Sequence, residues 1–169
     1  MEEEFMRHFL AACVLACSGT AALADEEAIQ TFSVLTPSLA HELVGATVAA
    51  CEEDGFQVTA AVVDRFGVPQ ALLRNRFSGP HTPDTAIRKA YTAVSFRTNT
   101  LDLVEPTKAG SAQSGARGIT NALMLGGGMV VEAAGEMLGG LGVSGAPTGE
   151  DDQACGLKGI EAISEKLPF

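Results

Sequence analysis

From Thr36 onward the chain switches between helical and strand periodicity. Leu39, Leu43, Ala46 and Ala50 recur at helical spacing, joined by Val44, Val48 and Cys51. Thr36-Pro37 supplies the start, since a proline at the first helical position gives up an N–H that has no partner there anyway. Glu52-Glu53-Asp54-Gly55 ends this helix. Gln57–Asp64 then alternates as a strand, Arg65-Phe66-Gly67-Val68-Pro69 is a turn, and Gln70–Arg76 is the returning strand of an antiparallel hairpin. After the loop Ser78-Gly79-Pro80-His81, Thr82-Pro83 repeats the cap-plus-proline signature and opens a second helix through Phe96. Its apolar stripe is Ala86, Ala90, Ala93 and Val94, with Ile87 and Tyr91 beside it. Leu101–Glu105 makes a further helical turn, stopped by Pro106. Lys108 to Gly118 is rich in Gly, Ser and Ala without periodicity, and reads as a flexible loop and a candidate lid.

The late run Gly126 to Gly145 carries the strongest pattern. Met129–Glu132 and Met137–Val143 are short apolar arms around Ala133-Ala134-Gly135-Glu136, where glycine beside a polar residue makes a tight hairpin. Glycine weakens a strand interior, so Gly139, Gly140 and Gly142 imply close approach of another chain segment, a neighbouring subunit or a ligand. Thr148-Gly149-Glu150-Asp151 then starts a last helix, about Glu150 to Lys166, with acids matched to its dipole. Its expected buried positions are Ala154, Cys155, Ile160, Ile163 and Leu167. The order α-β-β-α-(α)-β-β-α predicts an α+β fold: an antiparallel sheet of two hairpins with helices packed on it. Gly140 to Gly145 matches G-x-G-x-x-G, but Pro147 intervenes before the helix and no second parallel strand follows, so the dinucleotide reading fails. Gly142-Val143-Ser144-Gly145 likewise misses the nucleophile elbow, leaving Ser144 as a turn residue.

Charge and cysteines narrow the setting. Met6-Arg7-His8, the apolar Phe9–Ala16 and Ala22-Leu23-Ala24 have the parts of a signal peptide, residues 1–24, with a single domain over 25–169. Either Met1 or Met6 could be the start. The expected location is periplasmic or secreted, or lipid-anchored through Cys17 if Val14-Leu15-Ala16-Cys17 is an imperfect lipobox. No later stretch is long enough to span a bilayer. Cleavage would remove three acids and one base, taking the net charge from −10 to −8, which argues against a nucleic-acid partner. Yet Arg65, Arg74, Arg76, Arg88, Lys89, Arg97, Lys108 and Arg117 face only Asp64, Asp84, Asp102 and Glu105 between residues 64 and 117. That excess is either a solvated face or a site for an anionic small molecule. Cys51 and Cys155 remain after cleavage, as a disulfide or as two buried thiols. If the last helix runs antiparallel to the first, the two cysteines meet. No His/Cys cluster has zinc spacing.

Ala61-Val62-Val63-Asp64-Arg65-Phe66-Gly67, Arg88-Lys89-Ala90-Tyr91-Thr92-Ala93, Gly127-Gly128, and Leu138 to Gly145 with Asp152-Gln153-Ala154-Cys155 occur in that order. Together they resemble the GlcG/HbpS-like haem-binding (haem-degrading) family over about residues 36–165. Where that family usually has Gly-Gly-Val-Pro-Ile, this chain has Gly127-Gly128-Met129-Val130-Val131 and so lacks a rigid point before the hairpin. The resemblance implies a profilin-like fold, homo-oligomers and haem as cofactor. Haem needs an apolar slot, cations for its propionates and often an axial ligand. The candidates are His81 for the iron, Arg74, Arg76, Arg88 and Lys89 for the carboxylates, and Thr82, Tyr91, Gly127, Gly128 and Gly142 as further contacts. His81 is otherwise a surface histidine, and Tyr91 otherwise a core residue. Three functions follow: a non-catalytic binding protein for haem or a related anionic tetrapyrrole, an enzyme acting on a small carboxylate with His81 as general base, or a structural oligomeric accessory.

Overall fold

Thr36 starts the first helix as its composition demands: its hydroxyl accepts the Leu39 N–H at 3.2 Å, and Pro37 occupies the first helical position. In the computed structural model the described residues are 29–167, and the folded unit considered below begins at Ser33. The expected signal peptide, Cys17 and the choice of start lie outside the described residues.

Helix α1 is Pro37–Glu53, strand β1 Thr59–Asp64, β2 Pro69–Arg74 and α2 Thr82–Phe96. A single turn, α3 (Leu101–Val104), precedes a 3-10 turn at Ser114–Gly118. Strands β3 (Gly128–Ala133) and β4 (Glu136–Ser144) lead to α4 (Gly149–Ala162) and a closing 3-10 turn at Ser164–Lys166. The four strands form one antiparallel sheet in the order β2-β1-β4-β3, so the first strand of one hairpin lies beside the second strand of the other.

Local chemistry fixes both hairpins. The Asp64 carboxylate accepts the N–H groups of Phe66 and Val68 at 2.8 and 3.0 Å, and Gly67 turns the chain at φ +84°. In the second hairpin Ala134 and Gly135 both have positive φ, 51° and 76°, as a two-residue turn that follows strand twist requires.

One face of the sheet packs on α1 and α4 around Leu43, Val44, Val58, Ala60, Val62, Met129, Val131, Leu141 and Val143. The buried side of α1 is Ala40, Leu43, Val44, Thr47, Val48 and Cys51, whereas Leu39, Ala46 and Ala50 of the expected stripe are only half-buried. In α4 the buried residues are Asp152, Cys155, Gly156 and Gly159, and Ala154 is exposed. A Cβ at Gly159 would overlap Thr47, and one at Gly156 would overlap the Met129 methyl group. The face that lets α4 sit close to its neighbours is therefore made of glycine, which hydrophobic periodicity does not register. Cys51 and Cys155 are joined in a disulfide between α1 and α4, with Cα atoms 5.0 Å apart.

The other face carries α2, which lies on the glycines of β4. A Cβ at Gly140 would come within 2.8 Å of the Ala90 carbonyl oxygen, and one at Gly142 would overlap the Ala86 carbonyl oxygen. The approaching segment that the glycine-rich strand implied is thus helix α2 of the same chain. The segment Lys108 to Gly118, expected as a flexible lid, is a run of tight turns. Arg117 pins it by donating to the carbonyls of Thr107 and Val104 at 2.7 and 3.0 Å.

Candidate functional site

Three chain segments converge at the N-terminal end of α2 and enclose a cavity of about 550 Å³. Gly79, His81 and Thr82 form one side, Thr85, Arg88 and Lys89 the helical wall, and Leu123 and Leu125 an apolar edge. Ser144 to Gly149 and Asp152 close the far side. The volume is in the range of small-molecule and cofactor pockets.

The start of α2 departs from the expected cap. Thr82 is the first helical residue rather than the cap, and His81 at the cap position makes no side-chain capping bond. The Thr82 hydroxyl instead turns inward, 2.6 Å from both the Thr59 and Ser78 hydroxyls, and donates to the Gly79 carbonyl at 2.8 Å. This buried knot of hydroxyls fastens the loop before α2 to strand β1 and so sets where His81 stands. The imidazole is exposed and lies against Gly79, where a Cβ would come within 2.7 Å of its Cε1.

Arg88 and Lys89 both line the cavity, but their circumstances differ. Half-buried Arg88 donates to the Ala122 carbonyl at 3.1 Å and approaches the Asp84 carboxylate at 3.9 Å. The Lys89 ammonium is 1 % exposed, donates to the Val143 carbonyl at 2.9 Å and pairs with Asp152 at 2.6 Å. The other Asp152 oxygen accepts the Ala146 N–H at 2.9 Å. Burial pushes the Lys89 pKa down and the Asp152 pKa up, each against the attraction of the other. The pair binds α2 to the first turn of α4 and to the loop between β4 and α4.

The remaining candidates lie elsewhere. Arg74 donates to the Ser78 carbonyl, and Arg76 sits 5.6 Å from the centre of the Phe77 ring; both are exposed and outside the cavity lining. Tyr91 packs under the β1–β2 turn, where a Cβ at Gly67 would meet its ring at 2.7 Å. Gly127, Gly128 and Gly142 are buried packing positions: a Cβ at Gly127 would be 2.7 Å from Asp152 Cβ, and one at Gly128 would overlap the Lys89 carbonyl. Of the ten candidates, His81, Thr82, Arg88 and Lys89 come together. Asp152 and Ser144 join them, although the sequence marks the first only as a helix-dipole acid and the second as a turn residue. The signal for Asp152 was its spacing from Cys155, Gly156 and Gly159, which places it on the buried side of α4. Among the described residues no group of three His, Cys, Asp or Glu side chains could hold a metal ion.

An antiparallel sheet with two helices on one face and one on the other, and a polar cavity at that single helix's N-terminus, defines a small ligand-binding α+β domain. Residues 35–161 match the family described as haem degrading protein HbpS-like, and the chain belongs to that family. It is 36% identical to a doubly substituted HbpS of Streptomyces reticuli, covering 83% of this chain and 94% of that one at a TM-score of 0.75. The haem complex of PduOC is 28% identical, covering 77% and 95% at a TM-score of 0.72. The corrinoid adenosyltransferase PduO of Citrobacter freundii is 30% identical over 132 residues, 73% of this chain but only 39% of PduO. A 15.0 kDa protein encoded between dhaT and dhaS in Citrobacter freundii is 28% identical over 139 residues, which is 96% of its length.

Proposed function

We propose that this chain is a non-catalytic binding protein for haem or a related anionic tetrapyrrole, periplasmic or secreted after loss of residues 1–24. The observation that carries the reading is the cavity at the start of α2, where His81 stands at the mouth and Arg88 on the wall. The residues present fit such a ligand. The His81 imidazole makes no hydrogen bond among the described residues, so a ring nitrogen is available to iron. Leu123, Leu125, Ala146 and Pro147 give apolar contact for a macrocycle, and Arg88 gives a guanidinium for a carboxylate. Bound haem would supply a Soret band and an iron centre. The chain's own part is to position the ring, hold the carboxylates and limit access of water. Membership of the HbpS-like family and the haem complex of PduOC support the same ligand class.

The edge of the sheet supports a homo-oligomer as part of this reading. Among the described residues strand β2 has no partner on its outer side; Leu72 and Leu73 are exposed on it, and Val68 and Phe77 just before and after it. The disulfide suits an oxidising compartment. Among the described residues no helix is long and apolar enough to cross a membrane.

Titration of the purified protein with haemin tests the ligand. A saturable Soret shift is expected, moved in position by His81→Ala and weakened by Arg88→Ala. The absence of any shift removes the tetrapyrrole reading, and a shift unchanged in His81→Ala removes His81 as iron ligand. Light scattering on a sizing column tests self-association.

A further inference from the structure

Eight buried residues carry hydroxyl groups, and six of them are partnered. Thr59, Ser78 and Thr82 satisfy one another, while Thr92, Thr100 and Thr107 donate to backbone carbonyls. Thr47 has no partner but is sealed against Gly159. Ser144 is the remaining case. It is 5 % exposed, lines the cavity, and its hydroxyl makes no hydrogen bond among the described residues. That hydroxyl opens onto the cavity, so its partner is whatever fills the cavity.

The backbone fixes where that hydroxyl points. Ser144 is the last residue of β4 and pairs directly with Thr59, so the two side chains leave the sheet on the same side, that of α2. The preceding residue, Val143, offers its carbonyl to Lys89. An ammonium has three N–H groups, and Lys89 uses two, on Val143 and Asp152. The Ser144 hydroxyl and one Lys89 N–H are therefore without an acceptor among the described residues where both line one cavity. The charged residues of its lining are Arg88 and Lys89 against Asp152, a surplus of one positive charge. Outside the lining, exposed Asp84 lies 3.9 Å from Arg88, and exposed Glu150 and part-buried Asp151 lie on the same first turn of α4 as Asp152.

We propose that the inner end of this cavity is a carboxylate subsite, in which Ser144 donates its hydroxyl, and Lys89 its remaining N–H, to the oxygens of a ligand carboxylate. Acceptor-only oxygens suit two donors, and one negative charge suits the surplus. The carboxylate belongs either to a tetrapyrrole propionate, in which case the subsite rests on the function proposed above, or to a free small carboxylate. Ser144 would then set specificity, separating ligands with a free carboxylate from those in which it is blocked.

The experiment uses three probes on wild type and Ser144→Ala: haemin, haemin dimethyl ester and sodium propionate. With the wild type, haemin should bind about tenfold more tightly than its ester, and Ser144→Ala should narrow that preference to about threefold, the part left by Lys89 and Arg88. The ester comparison is made on the unaltered protein, so it stands even if the variant folds poorly. Propionate is followed by amide shifts in nitrogen-15-labelled protein. If haemin fails to bind but propionate moves the Ser144 and Gly145 amides saturably in the wild type alone, the subsite stands and the tetrapyrrole reading falls. If haemin and its ester bind equally to both proteins and propionate moves nothing, the subsite is overturned and the tetrapyrrole reading survives. If neither haemin nor propionate binds, both are overturned.

Discussion

Replacing Lys89 by Met isolates what the buried ion pair does. Both partners are nearly inaccessible, with side chains 1% and 5% exposed, and the charged atoms are 2.6 Å apart. At an effective dielectric constant near 20 their attraction is about 6 kcal/mol, opposed by the desolvation of both ions. Methionine fills the same volume but leaves the Asp152 carboxylate with only the Ala146 N–H at 2.9 Å. The expected loss at pH 7 is about 3–5 kcal/mol, the usual cost of stranding one buried charge. The pH dependence has a definite sign. Burial already raises the Asp152 pKa, and removing the ammonium takes away the main force that lowers it. A carboxyl whose pKa is raised on folding costs stability above its unfolded pKa, near 4, and the cost fades as pH falls through the folded value. The deficit of Lys89→Met relative to wild type should therefore be largest at pH 7 and shrink towards pH 4.5. The double variant Lys89→Met with Asp152→Asn keeps an acceptor for Ala146 without the charge, and should recover most of the loss. Urea unfolding followed by far-ultraviolet circular dichroism at the two pH values gives the comparison. A deficit below about 1 kcal/mol at pH 7, or one that grows on acidification, would refute the reasoning.

Two further outcomes follow from the packing. Gly142→Ala drives a methyl group into the Ala86 carbonyl and to within 2.8 Å of the Ala90 nitrogen, both backbone atoms of α2. It should cost about 2 kcal/mol or more, seen as a lower Tm. Gly45→Ala in α1, with nothing within 4 Å, should raise Tm, and equal effects at the two sites would show that close approach is not the cause. Replacing Cys51 and Cys155 by Ala should lower stability by about 3–5 kcal/mol, because the bridge spans 104 residues of unfolded chain. Alkylation of the urea-unfolded protein without reductant should label neither Cys51 nor Cys155; labelling of both would show that the bridge does not form.

The elements were legible because their signals are local. Thr36-Pro37, the Asp64-to-Gly67 turn and Ala134-Gly135 each settle a start or a reversal within a few residues. The antiparallel sheet follows from two such hairpins, and the Cys51–Cys155 bridge from the antiparallel placement of the outer helices. Long-range pairing was not legible. Lys89 and Asp152 are 63 residues apart, so the sequence does not show that two of this cation's three N–H groups are taken up inside the protein, on Val143 and Asp152. Arg74 and Arg76 are near Arg88 in the sequence, but Arg74 ends the edge strand β2 and Arg76 lies in the turn after it, both exposed and outside the cavity lining. The turns of residues 108–118 escaped notice because they rest on Arg117 reaching back to Val104 and Thr107. Ser144 escaped because an unpaired hydroxyl can be recognised only once its surroundings are known.

Helix α2 rests on bare main chain along β4, with no side chain at Gly140 or Gly142 to trim or enlarge. That contact cannot be retuned by ordinary substitution, since every alternative to glycine is bulkier and meets backbone. Any new taste in ligands must therefore come from Ser144 at the inner end and from the lip, Gly79, His81, Leu123, Leu125 and residues 145–149, where changes of size and polarity leave the bed of the helix untouched. The domain thus has an interchangeable rim around an unyielding base, and a saturation screen should find its tolerated variants concentrated on that rim.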